Sequence, residues 1–77
     1  MELNQFIENF SNQFEDSEIK NINESVDFKQ LETWDSLTAF SVQMMIEDEY
    51  SVKIAPEELK TTSTVLDLYN LVKSKSI

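Results

Sequence analysis

The chain has no cysteine, no histidine, no glycine and no arginine, and only one proline, in 77 residues. Each absence removes a class of chemistry. Without cysteine there is no disulfide framework, no thiolate nucleophile and no sulfur-ligated metal. Without histidine there is no Ser-His-Asp or Cys-His relay and no zincin-type site. Without glycine there is no P-loop and no GxGxxG turn, both of which need close backbone approach to phosphate. Most enzyme classes leave with these residues, so neither a catalytic residue nor a metal site of the chain's own is expected. No stretch is apolar for long enough to span a bilayer, and MELNQFIENF lacks a basic n-region and an apolar h-region. Residues 1–77 are expected to form a single domain, because chains divide only at greater length. A domain of this size buries roughly 60% of the surface its unfolded chain exposes, so its core must be dense.

What is present is acid. Six lysines oppose fifteen acidic residues, for a net charge of −9. The imbalance is uneven: residues 1–39 carry two lysines and nine acids, and residues 40–77 carry four lysines and six acids. Such a surface disfavours nucleic-acid phosphates and anionic membranes and suits partners that present lysine and arginine. Five phenylalanines, two tyrosines and a tryptophan exclude a disordered acidic tail. A folded, acidic, cytoplasmic and monomeric module is expected.

Hydrophobic periodicity divides the chain into helices. Leu3, Phe6, Ile7, Phe10 and Phe14 form one stripe on a 3.6-residue repeat, which predicts a helix over the first fifteen residues, with Glu2 in its first turn. From about Ser17 to Asp35 the pattern loosens and Asn21 and Asn23 favour turns. Ile19, Ile22, Val26, Phe28, Leu31 and Trp34 nevertheless predict that this long connection lies across the core, with room for a helical turn near Asp27–Leu31. A second long helix should start at Asp35 or Ser36, both N-cap types, and run to about Tyr50. Ser51–Ala55 reads as an extended link with Val52 and Ile54 on one side. Pro56 opens a short helix through Lys60. The run Thr61-Thr62-Ser63-Thr64 caps a last helix whose stripe comprises Val65, Leu68, Tyr69 and Val72, widened by Leu66 and Leu71. Lys73 and Lys75 fall in its final turn, at the negative end of the dipole. The predicted fold is all-α: a small four-helix bundle of three long helices and one short one, with a long first loop.

The second helix is amphipathic twice over. Ala39, Val42, Ile46 and Tyr50 share one side, whereas Leu37, Phe40 and Met44 share nearly the opposite one. Ser41 and Asp48 lie on one flank, and Gln43 and Glu47 on the other. The outer stripe is either a second buried face or an apolar anchor rimmed by acids.

Few residues could carry chemistry. Glu47-Asp48-Glu49 and Glu57-Glu58 point in different directions along a helix and read as solvated faces rather than acid/base pairs. An EF-hand is excluded, because the alternating ligands and the glycine are missing. Nothing recommends Lys29 or Lys53 as a Schiff-base lysine. Trp34-Asp35-Ser36-Leu37 remains, a serine at a helix start after a long loop. The positive helix end favours an anion there, and a loop tip is reachable by another protein's active site. With no base nearby, Ser36 would be modified only by an enzyme bringing its own base and metal. The alternative is that Ser36 is an ordinary N-cap.

The stretch FKQLETWDSLTAFSVQMMIEDEY, Phe28 to Tyr50, resembles the attachment region of acyl and peptidyl carrier proteins, which carry a D-S-L triplet at the head of their second helix, here Asp35, Ser36 and Leu37. The likeness runs over essentially the whole chain, through the VKI link, the Pro-Glu-Glu turn and the threonine-rich cap. It implies that Ser36 carries 4′-phosphopantetheine through a phosphodiester, and that the arm's thiol holds an acyl or aminoacyl group as a thioester. Asp35 matches the aspartate that helps position the serine and the metal of the phosphopantetheinyl transferase (holo-carrier synthase). Leu37 matches a residue that docks on that transferase. Phe40 and Met44, with Glu47 and Asp48, would lie on the face that meets partner enzymes. Those partners would be acyl-activating, condensing or acyltransferase enzymes with basic docking patches, in fatty acid or polyketide biosynthesis. The chain departs from the pattern at Thr33, where glycine is frequent, at Trp34, and at Thr38 and Ser41, where many fatty-acid carriers have acids. These departures favour a dedicated carrier of an accessory biosynthetic cluster. A carrier is thus the leading expectation, ahead of an acidic helical adaptor or inhibitor that uses the Leu37–Phe40–Met44 face without a cofactor. The sequence names no cargo.

Overall fold

The computed structural model describes residues 2–14, 22–32 and 34–76. Among these it contains α1 (Leu3–Ser11), a single 3-10 turn (Phe28–Gln30), α2 (Ser36–Tyr50), α3 (Pro56–Thr61) and α4 (Val65–Lys75), and no strand. The predicted all-α bundle with one short helix is therefore what forms. Ile19, Asn21 and Thr33 lie outside the described residues.

The first helix is shorter than its stripe. Ser11 Oγ donates to the Ile7 carbonyl at 2.7 Å and the Gln13 side-chain amide to the Asn9 carbonyl at 3.1 Å. The Asn9 carbonyl is the one that the Gln13 N–H would take if the helix continued, so side-chain bonds replace another turn. Phe14 still reaches the core, from the turn after the helix. Glu2 is not in the first turn as the sequence suggests; it is the N-cap, and its side chain caps nothing.

α1 packs against both α2 and α4. The core is aromatic at the α1 end. Phe10, Phe14, Trp34 and Phe28 form a closed circuit of ring contacts, with centroids 5.0, 6.1, 4.9 and 5.4 Å apart in that order around the ring. Phe6 extends it to Tyr50 and Tyr69, and Asn9 Nδ2 donates to the Tyr50 hydroxyl at 3.0 Å. Val42 and Ile46 of the inner stripe of α2 are buried, with Met45 added to them and Ala39 and Tyr50 packed at the edge, and Val52 and Ile54 of the link are buried as well. Leu66, expected to widen the α4 stripe, is exposed instead.

The long connection is anchored from both sides. Ile22 and Phe28 are buried, with Val26, Leu31 and Trp34 packed at the core's edge. Its backbone also completes the start of α4: the Val65 N–H donates to the Val26 carbonyl at 3.1 Å and the Leu66 N–H to the Glu24 carbonyl at 2.9 Å. The next orphan donor is met by Thr64 Oγ1, which accepts from the Asp67 N–H at 3.1 Å. Asp67 accepts in turn from the Ser63 and Thr64 N–H groups, bonds that hold its carboxyl below the usual range, with Thr64 the larger cause.

α2 ends without the glycine such an end usually has. Ser51 adopts the left-handed region, φ 56° and ψ 35°, while its N–H donates to the Glu47 carbonyl at 3.0 Å. A Cβ in that region costs of order 1 kcal/mol. Ser51→Gly is therefore expected to stabilise the chain by about 0.5–1 kcal/mol, a rise of several degrees in thermal melting. A melting temperature unchanged or lowered by the substitution would show that Ser51 pays no such cost.

Candidate functional site

The site is built where the aromatic circuit hands the chain to α2. Trp34, held against Phe14 and Phe28, immediately precedes Asp35. Asp35 has extended backbone, φ −150° and ψ −175°, and its Oδ1 accepts from the Thr38 N–H at 2.8 Å. That bond and a second from the Thr38 hydroxyl hold the Asp35 carboxyl below its ordinary range, the Leu37 N–H adding less. The cap left open between Asp35 and Ser36 is therefore Asp35.

Ser36, the first residue of α2, is exposed, and among the described residues its hydroxyl makes no hydrogen bond. A serine needed as a cap would have its oxygen occupied. This one is at the positive end of a fifteen-residue helix with its oxygen unengaged. Beside it opens a cavity of about 380 Å³. Trp34, Ala39 and Phe40 line it from the α2 side, Pro56 and Leu59 from α3, and Lys29, Lys60, Asp35 and Gln43 supply polar groups. The sequence showed none of this cavity, because part of its lining comes from α3, some twenty residues downstream. Gln43 spans the gap: its Nε2 donates to the Ile54 carbonyl at 2.9 Å.

The outer stripe of α2 is not a second core. Leu37 is 78% exposed, Phe40 61% and Met44 40%. Two further grooves flank Phe40 and Met44, one bordered by Glu47 and Glu58 with Lys53, the other by Asp48 and Glu49. Acids thus rim the stripe on both sides. Glu57-Glu58 is only half the solvated pair the sequence suggests. Glu58 Oε1 accepts from the Ala55 N–H at 3.1 Å and its carboxylate pairs with Lys75, the larger reason its carboxyl sits below the usual range. The reason is spatial: the start of α3 and the end of α4 meet there.

Among the described residues there is no cluster of acidic side chains that could hold a metal ion, and no helix long and apolar enough to cross a membrane. Among the described residues the arrangement offers an exposed serine oxygen, a mixed polar and apolar cavity next to it, and an exposed apolar stripe that begins at the following residue. Nothing here activates Ser36 from within, so any chemistry at its oxygen must be driven by a partner.

Comparison with known families returns one that accounts for this combination. A family model described as "phosphopantetheine attachment site" matches residues 5–72. No curated protein and no solved structure matches the chain.

Proposed function

The chain belongs to the phosphopantetheine attachment family, and on that footing we propose that Ser36 is the esterified residue of a carrier that holds acyl or aminoacyl groups as thioesters and delivers them to biosynthetic enzymes. The family's cofactor is 4′-phosphopantetheine, attached covalently to a serine, and its members are carriers rather than enzymes. The observation that carries the assignment to Ser36 is its exposed hydroxyl at the head of α2, without a hydrogen bond among the described residues, with the capping taken over by Asp35. The residues around it fit the group, since an anion is favoured at the helix start and the adjoining cavity is open.

When bound, the group supplies a thiol, which a chain without cysteine does not have. The chain's own residues do the rest. Asp35 fixes the first turn of α2 and so the position of the Ser36 oxygen. Leu37 offers an exposed apolar contact to the phosphopantetheinyl transferase. Phe40 and Met44, rimmed by Glu47 and Asp48, offer acyl-activating, condensing or acyltransferase enzymes an apolar anchor with charge complementary to basic patches. A small anchor of this kind gives transient contact, which a shuttle between enzymes needs. Residues 1–77 act on this reading as one monomeric carrier domain in the cytoplasm, in fatty acid, polyketide or a related accessory biosynthesis.

The test is direct. The purified chain, incubated with coenzyme A, magnesium and a broad-specificity transferase, should gain one phosphopantetheine by intact mass. No gain with several transferases would favour the cofactor-free adaptor. The docking face has its own check. Phe40→Glu should leave the far-UV circular dichroism unchanged, because the ring is exposed, and lower kcat/KM for loading or transfer by a partner enzyme. A hot-spot loss of about 2 kcal/mol corresponds to roughly 30-fold. A collapse of helicity would show instead that Phe40 belongs to the core.

A further inference from the structure

The chain has no cysteine, so its own sulfur is confined to three methionines. Two of them are neighbours on α2 with opposite surroundings. Met45 is 8% exposed and belongs to the core, whereas Met44, one residue earlier, is 40% exposed. Met1 lies outside the described residues. Met44 borders both grooves that flank the outer stripe, so solvent reaches it from two sides. Met45 touches the edge of the second groove but stays buried. Along these grooves Glu47, Glu58, Asp48 and Glu49 stand against Lys53, so carboxylates outnumber ammonium donors around the Met44 side chain. Glu47 and Asp48 are its own neighbours on the next helical turn.

Resting on the reading of the outer stripe as the face that meets partner enzymes, we propose that Met44 is a reversible oxidation site. A hydroperoxide converts its thioether to the sulfoxide and takes the docking face out of service, while Met45 is spared. The sulfur attacks one peroxide oxygen: an S–O bond forms and the O–O bond breaks. The proton of the transferred hydroxyl passes to the departing oxygen, which leaves as water. Sulfur gives up two electrons and the peroxide takes them. A soft apolar group thereby becomes a polar one. In the free chain the new oxygen is hydrated, so the fold is undisturbed. Under a partner it must shed that water, and an acceptor buried without a donor is costly. The penalty therefore falls on the complex alone. A reductase that returns two electrons from a dithiol restores the thioether.

The chain is treated with hydrogen peroxide before any arm is attached, so that its methionines are the sulfurs present, and the peroxide is then removed. Peptide mass mapping should find an oxygen on Met44 several-fold sooner than on Met45, with the far-UV circular dichroism unchanged. Oxygen on Met45 first, or helicity lost together with the Met44 oxygen, overturns the proposal. Treated and untreated chains are next loaded from coenzyme A by the transferase. The treated chain should show kcat/KM lower by roughly tenfold, and a methionine sulfoxide reductase with dithiothreitol should restore it. Equal rates overturn the proposal. Met44→Leu keeps Met1 and Met45. Its own loading rate, whatever its value, should be indifferent to peroxide, and a loss that survives in this variant overturns the assignment to Met44. Failure of the untreated chain to load speaks against Ser36 and not against Met44. The docking half is then read from an amphipathic helical peptide of leucine and lysine titrated onto both forms. Its affinity should fall by a similar factor on oxidation, and equal affinities reject the site.

Discussion

Ser36→Ala is expected to gain no mass at all under conditions in which the wild-type chain takes up one phosphopantetheine, and to keep its fold. Both halves follow from the division of labour at the head of α2. The ester needs an oxygen, and a methyl group offers none, so the loss is complete rather than graded. The fold should not notice, because the Ser36 hydroxyl makes no hydrogen bond among the described residues while Asp35 Oδ1 holds the Thr38 N–H at 2.8 Å. Intact mass and far-UV circular dichroism on the same sample check the two halves together. A variant that still gains the mass would move the attachment to another hydroxyl. A variant that loses helicity would mean that Ser36, and not Asp35, caps the helix.

The second large effect is on stability. Phe28→Ala should leave the chain mostly unfolded at 25 °C. Phe28 has no exposed surface, and its ring sits 5.4 Å from Phe10 and 4.9 Å from Trp34. Truncating a buried phenylalanine costs about 3–5 kcal/mol, through lost transfer energy and the void left behind. A core in a chain below 70–80 residues seldom supplies more than about 3–5 kcal/mol in total. The cost therefore matches the reserve. The same cut opens the circuit that seats Trp34 one residue before Asp35, so any folded remainder should also be modified more slowly at Ser36. Urea titration measures the stability, with Phe40→Ala as the exposed control, expected within about 0.5 kcal/mol of wild type. A Phe28→Ala midpoint shift worth less than about 1 kcal/mol would remove the aromatic circuit from the centre of this account.

The two substitutions also mark what could be read in advance. The three long helices were legible because their stripes repeat at 3.6 residues, the short one because proline suits a first helical position, and the start of α2 because Asp and Ser are cap residues. The end of α1 was not, since the stripe continues through Phe14 while Ser11 and Gln13 end the helix by bonding back to Ile7 and Asn9. Leu66 and Glu58 were misread for a related reason. Periodicity says which residues share a face, and a neighbour decides whether that face is covered or whether a carboxylate meets Lys75.

By itself the sequence determined the helical class, the acidic character, the exclusion of most catalytic chemistry and the D-S-L triplet at the head of α2, all of which depend on residue type and short spacing. Only the tertiary structure decided that Asp35 and not Ser36 is the cap, that the Leu37–Phe40–Met44 stripe faces outward, and that Lys29 and Lys60 meet at one cavity with Ser36. The cap is a bond between residues three apart that residue type alone left open, whereas the last two depend on how the 3-10 turn, α2 and α3 come together across residues distant in the chain. Burial and electrostatic surroundings are properties of that assembly, not of any local segment.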